Sequence, residues 1–263
     1  HQDKSMKRRS FIAAALAVPC IPRLLFGENE QPPALPLAFR PGELLKYSLG
    51  WQFIVAGRAT LQVLHPEEIE GLPVQNFKMT ARTRSGVDRI YKVRDTMTSR
   101  TDPTFSRSMR FEKNQHEGDT RRNEVVRFDW DTLQAHYHET IREKSKTIDI
   151  PRNTLDPLAA FYFVRNQPME VGTVIKGPLT DGKRCKIAEI RVVKREKIKV
   201  NGRKYDTFKL IPDIKDVGGV FKKSRNARME IWCTADHRHI PVLLKSKVAV
   251  GSFRAELESM SGV

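Results

Sequence analysis

Apolar and polar positions alternate with a period of two along most of the chain, in short segments separated by turn residues. Clear examples are FKMTART, IYKVRDTMTSR, RNEVVRF and LQAHYHET. A period of two places successive side chains on opposite faces of a strand, and turns about every ten residues are typical of antiparallel meanders, sandwiches and barrels. The pattern predicts an all-β fold: an antiparallel barrel, or a strongly curved sheet or sandwich, with one short helix.

The segment LDPLAAFYFVRNQP departs from this period and predicts the helix. Asp156 can cap a helix N-terminus, and Pro157 suits the first helical position. An apolar run without turn residues follows until Asn166 and Pro168 end it. We therefore expect a helix over residues 156–166 that packs across the sheet or closes one end of a barrel.

Turn residues mark two hairpins in the second half of the chain. The pair Asn201 and Gly202 separates two alternating runs, and this pair is favoured in type I′ turns because both central residues take positive φ. In IWCTADHRHIPVLLKS, Asp236 favours a turn and Pro241 limits strand pairing. We interpret this second stretch as the penultimate hairpin of the sheet.

The first residues carry the pattern of an export signal. After Met6, the expected start, come three basic residues and a short apolar run. Arg8, Arg9 and Phe11 match the R-R-x-F core of twin-arginine signals. Residues 1–27 are therefore expected to be an export signal, and the protein is expected to be periplasmic or secreted.

The rest of the chain divides into a linker and one domain. Residues 28–41 hold four prolines, which predicts an extended linker, and residues 42–263 predict a single β-rich domain. No apolar run reaches the roughly 18 to 20 residues that a membrane-spanning helix needs, so the exported chain is not expected to be transmembrane. Lipid attachment at Cys20 is disfavoured, because Pro19 stands where lipoprotein signals carry a small residue.

Composition adds a strong positive charge. The chain has 47 basic and 31 acidic residues, a formal net charge of +16. Residues 1–27 hold five basic residues and one acidic residue, so their removal leaves about +12. The polyanions of a cell envelope are lipid headgroups, lipopolysaccharide phosphates and acidic glycans, whereas nucleic acid is not an expected partner there. The alternative is that Lys and Arg only solvate the strand surfaces.

Two H-x-H pairs are the candidates for a metal site. His136 and His138 share the polar face of a strand, opposite an apolar face. His237 and His239 lie in the predicted turn, where the two side chains would diverge. A metal needs several imidazoles that converge on one point. We therefore interpret both pairs as solvated side chains, and no metal or other cofactor is expected.

Other chemical signatures are incomplete. GPLTDGKR resembles a phosphate-binding loop, but Arg184 replaces the hydroxyl residue and a strand-like run follows instead of a helix. No serine-hydrolase signature is present in the sequence, and no catalytic residue can be named. Cys185 and Cys233 lie in strand-like runs, which leaves two alternatives open, a disulfide or two buried thiols.

The order of several segments resembles a known family. The segments are GELLKYSLGWQFIVAGRATLQV, VDRIYKVRDTMTSRTDPTF, LDPLAAFYFVR, REKIKVNGRKYDTFKLIP and IWCTADHRHIPVLLKSKVAVGSFRAEL. Between about Gly42 and Leu257 the chain is similar to the exported bacterial proteins catalogued as domain of unknown function 3108. The resemblance implies an all-β periplasmic domain, without an established activity or catalytic residues.

The first functional hypothesis is a non-enzymatic envelope protein that binds an amphiphile or an anionic glycan. A β architecture can enclose a ligand, and the charge favours an anionic one. If a lipid is bound, the candidate cavity walls are the aromatic side chains of Trp51, Phe53, Phe161, Phe163 and Trp232. The alternative is that these side chains fill the core.

Two further hypotheses remain. The protein could be an envelope scaffold or assembly factor that binds a protein partner through the basic surfaces 183–204 and 222–228. The second surface contains Lys222, Lys223, Arg225 and Arg228. The protein could also be a hydrolase with an unrecognised site, which would require a polar cleft where a perturbed acid and a base converge.

Overall fold

A computed structural model describes residues 37–52, 54–213, 228–248 and 251–263. Two helices lie within these residues, α1 (Ser85–Asp88) and α2 (Pro157–Arg165). The first eight strands are β1 (Leu44–Trp51), β2 (Ile54–Val63), β3 (Glu67–Ile69), β4 (Leu72–Thr83), β5 (Arg94–Thr101), β6 (Ser108–Glu117), β7 (Thr120–Asp129) and β8 (Gln134–Glu139). The other seven are β9 (Lys144–Asp149), β10 (Val174–Thr180), β11 (Cys185–Val200), β12 (Arg203–Pro212), β13 (Arg228–Thr234), β14 (Pro241–Val248) and β15 (Gly251–Ser261).

The strands form one large antiparallel sheet. Its order is β10-β11-β12-β13-β14-β15-β1-β2-β4-β5-β6-β7-β8-β9, with β3 paired to β4 at the side. Most neighbours in the sheet are also neighbours in sequence, and the pairing of β15 with β1 joins the two halves of the chain. In the part of the chain that the structure describes, the edge strands β9 and β10 do not pair with each other. The predicted all-β class is confirmed, as an open sheet rather than a closed barrel.

Helix α2 confirms the predicted helix, and its N-terminus is anchored to the sheet. One carboxylate oxygen of Asp156 accepts hydrogen bonds from the backbone N–H groups of Leu158 and Ala159, at 2.9 and 3.0 Å. The hydroxyls of Ser99 and Ser108 donate to the other oxygen, each at 2.6 Å. A buried cap of this kind satisfies orphan N–H groups and fixes the helix against β5 and β6.

Side chains, rather than a strand ladder, connect the two ends of the sheet. The turn between β10 and β11 packs on β7, and a Cβ atom on Gly182, whose φ is +84°, would lie 2.6 Å from a methyl of Val126. Next to it, the ammonium of Lys183 pairs with the Glu124 carboxylate at 2.5 Å. The ammonium of Lys146 on β9 donates to the Lys183 carbonyl at 2.6 Å. These contacts hold the curvature of the sheet.

The core extends into the segment predicted as linker. Ala38 and Phe39 are buried, and the Phe39 ring meets the rings of Phe77, Phe105 and Tyr162 edge to face. The three ring centroids lie 5.6, 5.0 and 5.1 Å from that of Phe39, the usual range for such pairs. The packed domain therefore begins before Gly42.

A buried ion pair lies at the C-terminal end of α2. The Arg165 guanidinium donates to both carboxylate oxygens of Glu43, at 2.6 and 3.0 Å, and both side chains are 1% exposed. It also donates to the carbonyls of Ala38 and Arg238. Burial alone would lower the pKa of Arg165, but the Glu43 carboxylate raises it above its usual value. The pair joins α2 to the segment before β1 and to the β13–β14 turn.

Both predicted hairpins are confirmed, with one correction in the second. Asn201 and Gly202 have φ of 45° and 81°, as a type I′ turn requires. In the β13–β14 turn His237 is exposed as expected, but the expectation that His239 is solvated is wrong. His239 is buried because its φ of 42° turns the ring inward, where Nδ1 lies 2.7 Å from the carbonyl of Arg165. Desolvation accordingly lowers the pKa of His239.

Candidate functional site

A cleft of about 380 Å³ lies on strands β13, β14 and β15, where β13 and β15 begin and β14 ends. Most of its polar lining comes from alternate residues of these three strands: Arg228, Glu230, Lys245, Lys247, Ser252 and Arg254. The charged part of the lining comprises four cations and one carboxylate. A lining of this kind attracts anions.

The strand register places these cations directly opposite one another. Arg228 on β13 is the cross-strand partner of Lys247 on β14. Lys245, two residues earlier on β14, lies between Glu230 on β13 and Arg254 on β15. Residues two apart on a strand share a face, so all five side chains belong to one face of the sheet.

Only part of this charge is neutralised by the residues that the structure describes. The Glu230 carboxylate is paired with Lys209 at 2.5 Å, and Arg254 is paired with Glu256. For Arg228, Lys245 and Lys247, the described residues contain no carboxylate within 4.0 Å. The cleft therefore presents cationic groups that can still bind an anion.

The indole of Trp232 lies close to two lysine ammonium groups, one of which, that of Lys245, lines the cleft. The ammonium groups of Lys209 and Lys245 lie 4.8 and 5.3 Å from its ring centroid, within cation–π range. Its Nε1–H donates to Glu196 at 3.0 Å. Hydrogen bonds from Lys194 and Trp232 lower the pKa of that Glu196 carboxyl. Trp232 is thus a buried platform under Lys245 rather than the wall of a cavity.

Exposed apolar side chains border the cleft. Phe253, a lining residue, is 41% exposed, and Ile54 and Val55 at the start of β2 are 50% and 49% exposed. Trp51 pairs across the ladder with both Phe253 and Ile54. A Cβ atom on Gly251 would lie 2.8 Å from the indole nitrogen of Trp51, so Trp51 packs on the β14–β15 turn.

The described aromatic residues among those predicted to line a lipid cavity lie in different surroundings. Trp51 lies at the border of the cleft, and Phe53 lies outside the described residues. Phe161 packs against both buried clusters, Phe163 is half-buried on α2, and Trp232 is buried on β13. Sequence reasoning missed the cations of the cleft, although the alternation in LLKSKV already places its two lysines on one strand face.

The predicted histidine pairs do not form a metal centre with other ligands. Within the described residues no group of three or more His, Cys, Asp or Glu side chains could hold a metal ion. His136 and His138 point away from the core of β8, with ring nitrogens 3.0 and 2.9 Å from the hydroxyls of Thr147 and Ser145 on β9. Their predicted place on the polar strand face is confirmed.

The two cysteines are free thiols, which is the second of the two alternatives above. Cys233 is fully buried, and burial raises the pKa of its thiol to about 12. Cys185 is partly buried, and desolvation raises its pKa as well, against a hydrogen bond with Thr154. A thiol with a raised pKa is a poor nucleophile at neutral pH.

Only part of the two basic surfaces predicted to bind a protein partner lies within the described residues. Lys222, Lys223 and Arg225 lie outside the described residues, and Arg228 lines the cleft. In the surface 183–204 several cations are paired, for example Arg195 with Asp206 at 2.7 Å. Part of the charge of this surface is therefore neutralised within the protein.

A carboxyl pair on the sheet is the strongest feature for the hydrolase hypothesis. Burial, together with a hydrogen bond to the Glu117 side chain, raises the pKa of Asp95 to about 6, against a hydrogen bond from the His116 N–H at 3.0 Å. Glycosidases hold their two carboxyl groups about 5 to 9.5 Å apart, so that substrate or water fits between them. Hydrogen-bonded carboxyls share a proton instead, so this geometry does not favour hydrolysis of glycosides.

The family of the chain follows from a match along most of its length. Residues 46–258 match the model of the family described as "Protein of unknown function (DUF3108)". The chain belongs to this family. The resemblance seen in the sequence is confirmed, and no curated protein matches the chain.

Solved structures include similar chains, one of them with a TM-score above 0.5. A beta-barrel-like protein of domain of unknown function DUF1849 from Brucella abortus matches with a TM-score of 0.51 at 12% identity, over 83% of this chain and 96% of its own. A putative exported protein with a YmcC-like fold from Bacteroides fragilis matches with a TM-score of 0.37 at 9% identity, over 85% and 97% of the two chains. The first likeness shows the fold alone. Within the described residues, neither helix is long and apolar enough to cross a membrane.

Proposed function

We propose that this DUF3108 protein is a non-enzymatic binding protein of the cell envelope whose cleft binds an anionic ligand, such as an amphiphile headgroup or an acidic glycan. The observation that carries the proposal is the opposition of cations across the strands. Arg228 faces Lys247, and Lys245 faces Arg254, in an open cleft of about 380 Å³.

Opposed like charges cost stability unless an anion lies between them. Like charges directly opposite on a sheet are destabilising, on the scale of roughly 0.2 to 1 kcal/mol that cross-strand pairs contribute. One such pair elsewhere in the sheet carries its own carboxylate: Arg110 faces Arg127, but Glu112 lies 2.5 Å from Arg110. The exposed pair of Lys199 and Lys204 has no carboxylate in range among the described residues. A bound anion would neutralise the charges of Arg228 and Lys247, as the Glu112 carboxylate neutralises the charge of Arg110.

The side chains of the cleft indicate which anions fit. Guanidinium groups bind carboxylates and phosphates through two parallel hydrogen bonds, and ammonium groups bind them as point charges. Ser252 adds a hydroxyl on the same face as the cations, whereas the exposed ring of Phe253 alternates to the other face of β15. Phosphate, sulfate or carboxylate groups are therefore the expected ligands.

The location in the envelope is the second element of the proposal. It is supported by the twin-arginine pattern of Arg8, Arg9 and Phe11 and by the net charge of +16. Polyanions of the envelope carry the phosphate and carboxylate groups that the cleft would recognise. An export assay with Arg8 and Arg9 both changed to Lys tests this element; unchanged export of the variant would contradict it.

Titration calorimetry with soluble anions tests binding in the cleft. The probes are glycerol phosphate and a sulfated oligosaccharide, with wild type, Lys247→Glu and the control Lys199→Glu. Lys199 also faces another cation, Lys204, but this pair lies on the β11–β12 hairpin, away from the cleft lining. We expect affinity to fall at least 10-fold in Lys247→Glu and to change less than about 2-fold in the control. Equal loss in both variants, or no binding by wild type, would contradict the proposal.

A further inference from the structure

Arginine side chains cross the outward face of the sheet in two rows, on strands that do not line the cleft. On the other face of β4, β5 and β6, Phe77, Met79, Met97 and Phe111 pack in the core. Successive residues of a strand alternate between the two faces, so the side chains between these apolar positions point away from the core.

The first row consists of three directly opposed arginines. Arg58 on β2 is the cross-strand partner of Arg82 on β4, and Arg82 is the partner of Arg94 on β5. Neighbouring strands lie about 4.7 to 4.9 Å apart, so the row spans roughly 10 Å. Like charges directly opposite one another are unfavourable in a sheet, and an anion laid along the row would offset that cost.

The second row crosses the next strands in the same way. Arg100 on β5 is the partner of Arg110 on β6, and Arg110 is the partner of Arg127 on β7. Arg94 and Arg100 lie six residues apart on β5 and therefore share one face. At a rise of about 3.3 Å per residue, the two rows lie roughly 20 Å apart.

The side chains between the two rows on β4, β5 and β6 are all polar. They form two cross-strand lines on the same face: Thr80, Thr96 and Asn114, and Lys78, Thr98 and Glu112. Hydroxyl and amide groups both donate and accept hydrogen bonds, as the hydroxyls of a sugar do. The face thus combines cations at its two ends with groups that match sugar hydroxyls in between.

Each row keeps one arginine without a carboxylate partner. Arg82 and Arg127 are exposed, and among the described residues no carboxylate lies within 4.0 Å of either guanidinium. The other four arginines are paired with the carboxylates of Glu258, Asp88, Glu67 and Glu112. The face therefore stays positively charged after the pairs within the protein are counted.

We infer that this face binds a linear acidic polysaccharide, with the two arginine rows holding its carboxylate groups and the side chains between them bonding its hydroxyls. Guanidinium groups bind carboxylates through two parallel hydrogen bonds. A chain of several sugars can contact both rows, whereas a single headgroup or a short oligosaccharide would reach one row only. The inference goes beyond the proposed function, because none of the six arginines lines the cleft.

The composition of the face favours a polysaccharide over other polyanions. Single-stranded nucleic acid stacks its bases on aromatic side chains, and proteins that lie on a bilayer bury apolar side chains in it. The polar lines between the rows offer neither kind of side chain.

Calorimetry with polygalacturonate, a polymer of carboxylated sugars, tests the inference on the full chain. The titrations use the variant Lys247→Glu, so that the anion site proposed in the cleft does not contribute. We expect the addition of Arg82→Glu/Arg127→Glu to lower the affinity at least 10-fold, and neutral dextran not to bind. The control adds Lys199→Glu/Lys204→Glu, which reverses two exposed cations elsewhere and should change the affinity less than about 2-fold.

The outcomes separate this face from the cleft. Polygalacturonate binding that ignores Arg82→Glu/Arg127→Glu, or that falls equally in the control, would overturn the inference. Loss of binding in Lys247→Glu alone would assign the polysaccharide to the cleft, overturning the inference and leaving the proposed function intact. If wild type does not bind glycerol phosphate but the Arg82→Glu/Arg127→Glu loss is seen, the proposed function fails and the inference stands.

Two further probes test the class of partner. Oligothymidylate and phosphatidylglycerol vesicles should bind no more tightly than polygalacturonate, and less specifically to this face. If either probe depends on Arg82 and Arg127 while polygalacturonate does not, the face binds another polyanion and the inference is wrong. Unfolding midpoints close to that of Lys247→Glu should show that the added substitutions leave the fold intact.

Discussion

Arg165, at the C-terminal end of α2, and Arg228, at the start of β13, occupy opposite electrostatic settings. The Arg165 guanidinium is 1% exposed, and a carboxylate and two backbone carbonyls accept its hydrogen bonds. Arg228 lines an open cleft opposite Lys247, with no carboxylate in range among the described residues. A buried charge whose partners are all present fixes the fold, whereas opposed cations in an open cleft are tolerated at some cost. That difference supports a structural role for the first group and, under the proposed function, a binding role for the second.

The two regions should respond in opposite ways when a charge is changed. Removing a partner from the closed group leaves a charge buried and unpaired, which is strongly destabilising. Reversing a cation in the open group relieves repulsion, so stability should rise while binding is lost. Measurements of stability and of binding on the same variants therefore separate the two roles.

Glu43→Ala is expected to cause the largest loss of stability. It leaves the Arg165 guanidinium buried without its carboxylate, which typically costs about 3 to 5 kcal/mol. Denaturant unfolding of wild type and variant measures the difference in free energy of unfolding. Asp206→Ala is the control, because it removes the partner of Arg195 from an exposed pair and should leave the unfolding midpoint nearly unchanged. Equal losses in the two variants would show that Arg165 finds water or another partner.

Gly182→Ala tests the contacts that hold the sheet in its curved form. The new Cβ would lie 2.6 Å from Val126, in a backbone with φ of +84°, so we expect a loss of about 1 to 3 kcal/mol in the free energy of unfolding. Gly177→Ala is the control, because a Cβ atom there meets nothing within 4 Å. If both variants unfold at the same denaturant concentration as wild type, the β10–β11 turn does not clamp β7.

The Asp95–Glu117 pair predicts how stability depends on pH. The folded-state pKa of Asp95 is raised to about 6 from 3.8, so the folded state binds the proton more tightly than the unfolded state. The resulting stability is fully present below pH 3.8 and is lost as pH rises through 6, by up to about 3 kcal/mol. Asp95→Asn should remove this dependence and stabilise the protein at pH 7.

Unfolding at pH 4, 5, 6 and 7 measures that profile for wild type and for Asp95→Asn. Other groups also titrate in this range, so the difference between the two profiles is the informative quantity. Asp119→Asn is the control, since Asp119 lies exposed in the β6–β7 turn. A difference that does not change with pH would mean that Asp95 stays ionised in the folded protein.

Features with a local cause could be predicted from the sequence. The alternation of apolar residues, the Asp156 cap and the Asn201–Gly202 turn each depend on a few neighbouring residues, and each prediction is confirmed. The burial of Phe39 and His239 could not be predicted in this way. Phe39 enters the core through rings that lie far along the chain, and the burial of His239 depends on where α2 ends.

The cleft, too, could not be predicted from local sequence, because it is formed by residues from several strands. The alternation in LLKSKV predicts that Lys245 and Lys247 share a strand face, but it does not say what lies opposite. Arg228 and Arg254 come from two other strands, and only the register of β13, β14 and β15 brings them beside the lysines. The aromatic residues were plausible cavity walls by composition, yet Phe161 and Trp232 pack in the core.

Lys247→Glu should produce the smallest change in stability and the clearest separation of the two roles. A glutamate opposite Arg228 replaces repulsion by attraction, so we expect a gain of roughly 0.2 to 1 kcal/mol in the free energy of unfolding at low salt. Lys199→Glu, opposite Lys204, should give a similar gain, because its cross-strand setting is the same. Both gains should shrink as salt is raised, since exposed charges are screened. Only Lys247→Glu should also lose anion binding. If it loses both stability and binding, the cations are structural, and the contrast between Arg165 and Arg228 no longer holds.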